Sequence, residues 1–243
     1  MPDKITYEFT SKGLKDSEKL IVTDFRGSEA ISEPYEYTIS LKSESADIDM
    51  DEMLSTPCTF LMTIGRYQRP VHGCLSDFEQ LHQADQFTMY RAVLVPRLWQ
   101  LTLYKANEVY LKDLNSQNGT TVPDIIEIVL KECGFTTLDY ELRLNASYPR
   151  RPYRCQWNET HFQYISRLME HEGICYYFDQ DKASEKIVFC DSLNLHKNMK
   201  DADVNYAPVS GVDIHTASSN IRSLVCRKKR MPKTVVLQDY NYE

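Results

Sequence analysis

The stretch NETHFQYISRLMEHEGICYYF, residues 158–178, carries the strongest structural signal in the chain. Thr160, with Gln163 three residues later, forms a capping-box pattern that predicts the start of a helix, and Gly173 predicts its end. Apolar side chains recur at helical spacing between these points: Phe162, Ile165, Leu168 and Met169. The pattern indicates one short amphipathic helix that leads into a strand.

The same stretch contains two histidines and several acidic residues, as a metal or catalytic site would. His161 and His171 are ten positions apart, which places them about 15 Å apart along a helix axis and too far to share an ion. Neither a His-x-x-x-His nor a His-Glu-x-x-His pattern occurs in the chain. We therefore expect no metal, no cofactor and no catalytic residue.

Glu172 is the acidic residue that falls inside the predicted apolar arc. A half-buried carboxylate needs a partner, so Glu172 is either a structural anchor, which we favour, or a functional acid. His171 lies in the last turn, where a cationic imidazole suits the helix dipole. His161 lies beside the apolar arc, and we expect it to be a packed, neutral side chain.

Composition and charge narrow the class of protein. The 243 residues are 42% hydrophobic and include 16 tyrosines but only 8 glycines, which favours a packed, β-rich chain. The net charge of −7 argues against nucleic acid as a partner. The basic run Arg227–Arg230 (RKKR) is interpreted as a solvated strand end or turn.

The seven cysteines include no Cys-x-x-Cys pair, which favours a reducing compartment over a zinc ribbon or a disulfide framework. The N-terminus lacks the apolar core of a signal peptide, and no run approaches the roughly 18 apolar residues of a membrane span. We expect cytoplasmic synthesis without a signal peptide, no stable membrane insertion, and export only by a machine that needs no signal peptide.

Strand patterns fill the first hundred residues. PYEYTISLK, residues 34–42, alternates apolar and polar side chains without error, whereas CTFLMTIG and FTMYRAVLV (residues 58–65 and 87–95) are apolar on both faces. RPVHGCLSDFEQL, residues 69–81, is predicted to be another strand with its own turn. Antiparallel strands at this spacing indicate a barrel or a sandwich.

The middle of the chain adds helices, and the tail returns to strand patterns. TTVPDIIEIVLKECGF, residues 120–135, predicts a helix with a capping box at Thr121 and Asp124 and a stop at Gly134. GICYYFD and KIVFCDS predict a hairpin after the second helix. NIRSLVCRK and TVVLQDYNY, residues 220–228 and 234–242, are predicted to be strands.

Residues 156–178, QWNETHFQYISRLMEHEGICYYF, resemble the pattern Q-Y-x-E-T-x-x-x-F-x-x-R-L-x-E-x-E-G-I-x-Y-x-F of the VgrG family, the spike proteins of bacterial type VI secretion systems. The matching residues are Gln156, Glu159, Thr160, Arg167, Leu168, Glu170, Glu172, Gly173, Ile174, Tyr176 or Tyr177, and Phe178. Further matches are Gly73 in RPVHGCLSDFEQL, Pro96 and Trp99 in YRAVLVPRLWQLTL, and Asp239 and Tyr240 in VVLQDYNYE. His161 departs from the family, which often has Asp at this position.

The resemblance implies a mainly β fold with an α+β insert. Two antiparallel β-barrels, similar to the tube protein, would flank a small mixed region, and the second barrel need not be complete in this chain. The implied domains are residues 1–105 for the first barrel, 106–180 for a mixed region with two short helices, and 181–243 for strands of the second barrel.

The resemblance also implies a non-enzymatic hub. Three chains would form a homotrimer, a pseudo-sixfold ring that caps the hexameric Hcp tube and helps to deliver effectors. Baseplate proteins, a spike-tip protein and effectors are the other implied partners, the last two through a C-terminal part. Because the chain stops at Glu243, we expect the needle to be absent, either in a fragment or in a hub-only relative. Assembly would be cytoplasmic, followed by translocation by the contractile machine.

Two alternative functions stay open on the sequence alone. A tail hub or baseplate protein of a phage or phage-like contractile particle would show nearly the same pattern. A hydrolase with a Cys/His site or a Glu-based site, with Glu172 or a cysteine as its best candidate, belongs to a different class.

Overall fold

The computed structural model describes residues 5–111, 119–180, 183–195, 206 and 221–236. Lys4–Asn198 forms one compact unit. Its strands are β1 (Ile5–Ser11), β2 (Ile21–Ser28), β3 (Glu36–Ser43), β4 (Cys58–Ile64), β5 (Tyr67–Ala84), β6 (Phe87–Val95), β7 (Lys105–Leu111), β8 (Tyr140–Arg143), β9 (Tyr153–Thr160), β10 (Cys175–Gln180) and β11 (Glu185–Cys190). Its α-helices are α1 (Met50–Ser55), α2 (Val122–Glu132) and α3 (His161–Glu172), with 3₁₀ turns at Arg97–Thr102 and Leu193–Leu195. The predicted mainly β fold with an α+β insert is confirmed.

The first six strands form one antiparallel sheet in the order β1-β4-β5-β6-β3-β2. The predicted alternation in PYEYTISLK is confirmed, because β3 buries Tyr37, Ile39 and Leu41 while the residues between them are more exposed. These side chains, with Tyr35 just before the strand, form part of the core of this sheet.

Strand β5 is long because its first part pairs with one neighbouring strand and its second part pairs with another. Residues 67–73 pair with β4, and residues 74–84 pair with β6. The turn predicted inside RPVHGCLSDFEQL is wrong: the chain continues as a strand, and the register shifts between Leu75 and Asp77. Such a bulge inserts an unpaired residue and bends the strand instead of reversing it.

The sheet curls into a half-barrel. Its edge strands β1 and β2 come together through Tyr7 and Phe25, whose ring centroids are 5.0 Å apart. Phe60 of β4 lies 4.9 Å from Phe25 and is fully buried, so an aromatic cluster fills the concave side between the two edges.

The remaining elements of this unit form a second core around α2 and α3. Both predicted capping boxes are present, at Thr121 with Asp124 and at Thr160 with Gln163. Gly173 ends α3 with φ 72°, the left-handed conformation that glycine adopts readily. The predicted hairpin is β10–β11, and β8 joins β11 in parallel to complete a three-stranded sheet. Strands β7 and β9 form a separate two-stranded sheet.

Met199–Glu243 and Met1–Asp3 form the other unit, of which residues 206 and 221–236 are described. Residues 221–228 of NIRSLVCRK form no strand, so that prediction is wrong there; Ile221 makes one isolated parallel bridge to Tyr206. The basic run Arg227–Arg230 is exposed. Asp239 and Tyr240 lie outside the described residues, and the division into domains at 105 and 180 stays a prediction. No helix among the described residues is both long and apolar enough to cross a membrane.

Candidate functional site

Two residues that match the VgrG pattern, one on β9 and one on α3, form an ion pair that connects these two elements. The guanidinium of Arg167 binds the carboxylate of Glu159 through two atoms, with Nη2–Oε1 at 2.6 Å and Nε–Oε2 at 2.9 Å. Arg167 Nη2 also donates to the backbone oxygen of Cys155 at 2.9 Å. The bonds from Arg167 hold the pKa of Glu159 below its usual range. The pair therefore ties the helix to the strand that precedes it.

Gln156 and His161 lie near this ion pair and are both buried. The Gln156 amide nitrogen donates to the backbone oxygen of Glu159 at 3.0 Å, which leaves its Oε1 as acceptor for Nδ1 of His161 at 3.1 Å. His161 thus packs against a structural partner, as the sequence suggested. His171 is exposed in the last turn of α3, far from it along the helix.

Glu172 finds its partner in Arg154 of β9. Arg154 Nη2 lies 3.5 Å from Glu172 Oε1, and the two side chains are only 12% and 13% exposed. Arg154 Nε is buried and has no hydrogen-bond partner, whereas the Glu172 carboxylate near Nη2 offsets the buried positive charge of the guanidinium. Glu170, two residues earlier, is exposed on the opposite side of the helix. The pairing agrees with the anchor role favoured from the sequence, and that role stays a prediction.

Phe178 connects the two cores of the unit. It packs against both clusters of buried residues, and its ring centroid lies 5.0 Å from that of Tyr35 in an edge-to-face arrangement. Nearby, the backbone nitrogen of Ser32 donates to the backbone oxygen of Tyr176 at 2.8 Å. The β10–β11 hairpin therefore joins the half-barrel sheet to the helical core.

A polar cluster, which we call the junction cluster (Tyr35, His72, Arg97, Asp139, Gln180 and Glu185), lies at the same boundary. The hydroxyl of Tyr35 lies 2.6 Å from Glu185 Oε2, and it also donates to the backbone oxygen of His72. Glu185 Oε1 accepts from the backbone nitrogen of Arg97 at 2.6 Å. His72 in turn donates its backbone N–H to Gln180 Oε1 at 3.0 Å.

The side chain of Arg97 extends the cluster to the loop after α2. Its Nη1 lies 3.2 Å from Asp139 Oδ1, and its Nη2 donates to the backbone oxygen of Gly134 at 2.7 Å. The guanidinium also lies 4.5 Å from the centroid of the Phe135 ring. One arginine thus holds the end of β6 against the helical core.

Burial dominates the electrostatics of the junction cluster. It raises the pKa of Glu185 to about 7, against the opposing effects of Tyr35 and Arg97. Burial and the neighbouring carboxyl of Glu185 also raise the pKa of Tyr35. Asp139 behaves differently: its bonds to Thr136 and its pair with Arg97 outweigh burial and lower its pKa.

Gly73, Pro96 and Phe178 come together around this cluster. Gly73 sits where β5 changes partner, and a Cβ there would overlap the backbone oxygen of Val95. Pro96 precedes the 3₁₀ turn and accepts a backbone bond from Trp99 at 2.9 Å. A cleft of about 660 Å³ opens beside the cluster. Among its lining residues are Cys58, His72, Cys74, Arg97, Asp139 and Glu185.

The sequence did not single out Arg97, Gln180 or Glu185. Glu185 opens an apolar strand and has the sequence signature of an ordinary charged strand end. Its burial depends on Tyr35, 150 positions away, so no local signal marks it.

The described residues contain no group of three or more His, Cys, Asp or Glu side chains that could hold a metal ion. Burial raises the pKa of Cys74 to about 11 and that of Cys190 to about 12, and it raises the pKa of Cys58 further. A thiol with a raised pKa is a poor nucleophile near neutral pH, because little thiolate is present.

A protein of known structure has a fold similar to that of this chain. The match has a TM-score of 0.70 and 27% identity, and it covers 79% of this chain and 51% of that one. The matched protein is c3393 of E. coli, a component of the type VI secretion system that exhibits structural similarity to the T4 bacteriophage tail proteins gp27 and gp5. The fold is therefore that of a contractile-tail hub. The chain belongs to the phage tail baseplate hub (GPD) family, whose model matches residues 28–243.

Two sequence relatives confirm the resemblance to VgrG proteins, and both are type VI secretion system spike proteins of Pseudomonas aeruginosa. VgrG1b is 32% identical over 194 residues, which are 79% of this chain and 25% of the relative. VgrG5 is 34% identical over 171 residues, which are 70% of this chain and 20% of the relative. The chain thus spans a quarter or less of the length of these spike proteins.

Proposed function

We propose that this chain is the structural hub of a VgrG-like type VI secretion spike and that it performs no catalysis. Three chains form a pseudo-sixfold ring that caps an Hcp tube hexamer and contacts baseplate proteins. In the full-length relatives the same hub would be followed by the parts that carry a spike-tip protein and effectors. Assembly takes place in the cytoplasm, and the contractile machine then translocates the ring.

The observation that carries this proposal is an exposed apolar face on the two-stranded sheet. Outward positions of β7 and β9 hold four exposed apolar side chains, Val109, Leu111, Tyr153 and Trp157, which we call the β7–β9 face. Val109 is 50% exposed and Trp157 is 75% exposed. Apolar side chains grouped on one strand pair are typical of a surface that is covered in an assembly.

The arrangement of candidate catalytic groups argues against the hydrolase alternative. Glu172 is paired with Arg154, and both oxygens of Glu185 have partners, Tyr35 and the backbone nitrogen of Arg97. A general acid or base must reach a substrate, whereas these carboxyl groups are engaged by the fold. The raised pKa values of the buried thiols, Cys74 and Cys190 among them, oppose a cysteine nucleophile.

Light scattering of the purified chain tests the assembly. We expect the mass of a trimer at high concentration, and we expect Val109→Asp with Trp157→Asp to reduce it to that of a monomer. Leu138→Asp is the matched control, because Leu138 is 79% exposed and lies outside the β7–β9 face. A wild-type chain that stays monomeric, or a trimer that is indifferent to the double substitution, would count against the proposal.

Co-sedimentation with preformed Hcp tubes separates the secretion spike from a phage tail hub. Binding of the wild-type trimer at the tube end, seen by electron microscopy, is the expected result. A trimer that binds a phage tail tube and ignores Hcp would favour the phage alternative. The identity with VgrG1b and VgrG5 is the reason for preferring the secretion spike.

A further inference from the structure

Two reduced cysteines face one another across the β10–β11 hairpin. Cys175 and Cys190 are directly paired in the antiparallel register, and their sulfur atoms are 3.3 Å apart. The thiol of Cys175 also donates to the backbone oxygen of Cys190 at 3.3 Å. Directly opposed strand residues have Cα separations of about 4.5–5.5 Å, within the range that a disulfide spans.

Three other thiols of the described residues, those of Cys58, Cys74 and Cys155, lie near backbone oxygen atoms. Cys58 and Cys74 direct their sulfurs towards the backbone oxygens of Gly73 and Pro96, at 3.8 and 4.0 Å. The sulfur of Cys155 lies 3.5 Å from the backbone oxygen of Gln156. The sulfur pair on the hairpin is thus distinct from these.

We propose that Cys175 and Cys190 form a reversible intrachain disulfide when the protein meets a low-molecular-weight disulfide such as glutathione disulfide, and that this bond locks the β10–β11 hairpin. The bond requires the two sulfurs to approach by a little more than 1 Å, to the disulfide length of about 2.05 Å. Rotation of the two side chains supplies this movement, because the backbone pairing already holds the residues opposite one another.

The order of the two thiols in the reaction follows from their surroundings. Cys175 is half-buried on β10, an edge strand, whereas Cys190 is buried on the central strand β11. Burial, and the hydrogen bond with Cys175, raise the pKa of Cys190, although the positive charge of Arg143 on β8 acts in the opposite direction. Cys175 therefore reacts first with the oxidant.

The exchange is balanced in two steps. The Cys175 thiolate attacks one sulfur of glutathione disulfide, the oxidant's sulfur–sulfur bond breaks, and one glutathione leaves as a thiolate that takes up a proton. Cys190 then loses its proton, attacks the sulfur of Cys175, and displaces the second glutathione, which is also protonated. The two protein thiols are oxidised, and glutathione disulfide is reduced to two glutathione molecules.

The position of the bond gives it a structural consequence. The hairpin that it would close carries Tyr176, Phe178, Gln180 and Glu185, and all four contact residues of the half-barrel sheet or its loops. A cross-link at the open end of the hairpin would restrict opening of the segment that joins the two cores. A hub that is delivered out of a reducing compartment would meet such an oxidant; that setting, unlike the disulfide itself, rests on the proposed function.

Peptide mapping of the intact chain tests the bond. The purified protein is equilibrated in glutathione buffers of graded redox potential, quenched in acid, unfolded in guanidinium and alkylated. In reduced protein all seven cysteines should be alkylated. In oxidising buffer the number should fall by two, and a peptide that contains Cys175 should be linked to one that contains Cys190. Dithiothreitol should reverse the change.

Hydrogen exchange measures the consequence. We expect oxidation to slow exchange of the hairpin amides at residues 176–178 and 187–189 by about tenfold or more, because the cross-link opposes local opening. Cys175→Ser should abolish this response and keep the fold, since the residue is only half-buried. Cys133→Ser, a half-buried thiol elsewhere, is the matched control and should respond as the wild type does.

Cys226 is exposed and could couple two chains, so Cys226→Ser is run in parallel to remove that signal. The proposal fails if Cys175 and Cys190 are both alkylated after oxidation. It also fails if Cys175 carries a stable glutathione adduct beside an alkylated Cys190, or if either residue is linked to a different cysteine. None of these measurements depends on trimer formation or on Hcp.

Discussion

The hydroxyl of Tyr35 lies 2.6 Å from Glu185 Oε2, and the two residues are 150 positions apart in the chain. The hydroxyl has one hydrogen and faces two oxygen acceptors, because the backbone oxygen of His72 is also its partner. Burial of the Glu185 carboxyl disfavours its charged form and raises its pKa to about 7, although the hydrogen bond from Tyr35 and the positive charge of Arg97 act in the opposite direction. The fold therefore favours the neutral carboxyl.

Stability should fall as pH rises through the range in which Glu185 ionises. The pKa of Glu185 is raised from 4.5 to about 7 in the folded protein. The neutral carboxyl therefore stabilises the fold fully below pH 4.5, and this contribution is lost as the pH approaches and passes 7. Glu185→Gln keeps a neutral side chain of similar shape. Between pH 4.5 and pH 8, the free energy of unfolding of Glu185→Gln, measured in urea, should rise relative to that of the wild type by on the order of 3 kcal/mol.

Glu170→Gln is the control for this measurement, because the side chain is exposed on α3. Its unfolding free energy should follow the wild-type pH profile. Parallel profiles for wild type and Glu185→Gln would show that the junction cluster does not favour the protonated acid.

Removal of the Glu172 carboxylate should destabilise the fold. Glu172→Ala leaves the positive charge of Arg154, whose side chain is only 12% exposed, without its paired carboxylate, which costs about 1–3 kcal/mol. Thermal or urea unfolding measures the loss. Glu170→Ala, two residues away on the exposed face of the helix, should change stability by less than about 0.5 kcal/mol. Equal melting temperatures for Glu172→Ala and wild type would contradict the prediction that Glu172 anchors the fold.

Gly73→Ala should be costly although the change is one methyl group. The new Cβ would overlap the backbone oxygen of Val95, and neither backbone can move without disturbing the point where β5 changes partner. We expect a loss of about 1–3 kcal/mol in urea unfolding. His82→Ala, on the exposed end of the same strand, serves as the reference and should be nearly neutral. A Gly73→Ala chain as stable as that reference would contradict the steric argument.

Local features of the chain were predicted well because short-range chemistry fixes them. The capping boxes at Thr121 and Thr160 and the stop at Gly173 depend on side chains within four residues of one another. The alternation of β3 likewise predicts its buried face, since successive strand side chains point to opposite sides. Even the need of Glu172 for a partner follows from its place on the helical wheel.

Long-range features were not predictable in the same way. The sequence pattern does not distinguish the bulge of β5 from a turn, because both interrupt the alternation of apolar residues and only the pairing with β4 and β6 separates them. The tail residues 221–228 have the composition of a strand, yet within the described part of the chain they lack the neighbouring strand that would complete a ladder.

The sequence by itself determined the helix caps, the alternating strands, the amphipathic helix and the resemblance of that helix to a spike-protein motif. The residues that define each of these features lie close together in the chain. Only the tertiary structure decided that Arg154 forms an ion pair with Glu172 and that Tyr35 forms a hydrogen bond with Glu185. It also brought Cys175 and Cys190 within 3.3 Å of one another. These contacts depend on how strands pair and cores pack, and no local spacing encodes the distance between residues that the fold alone brings together.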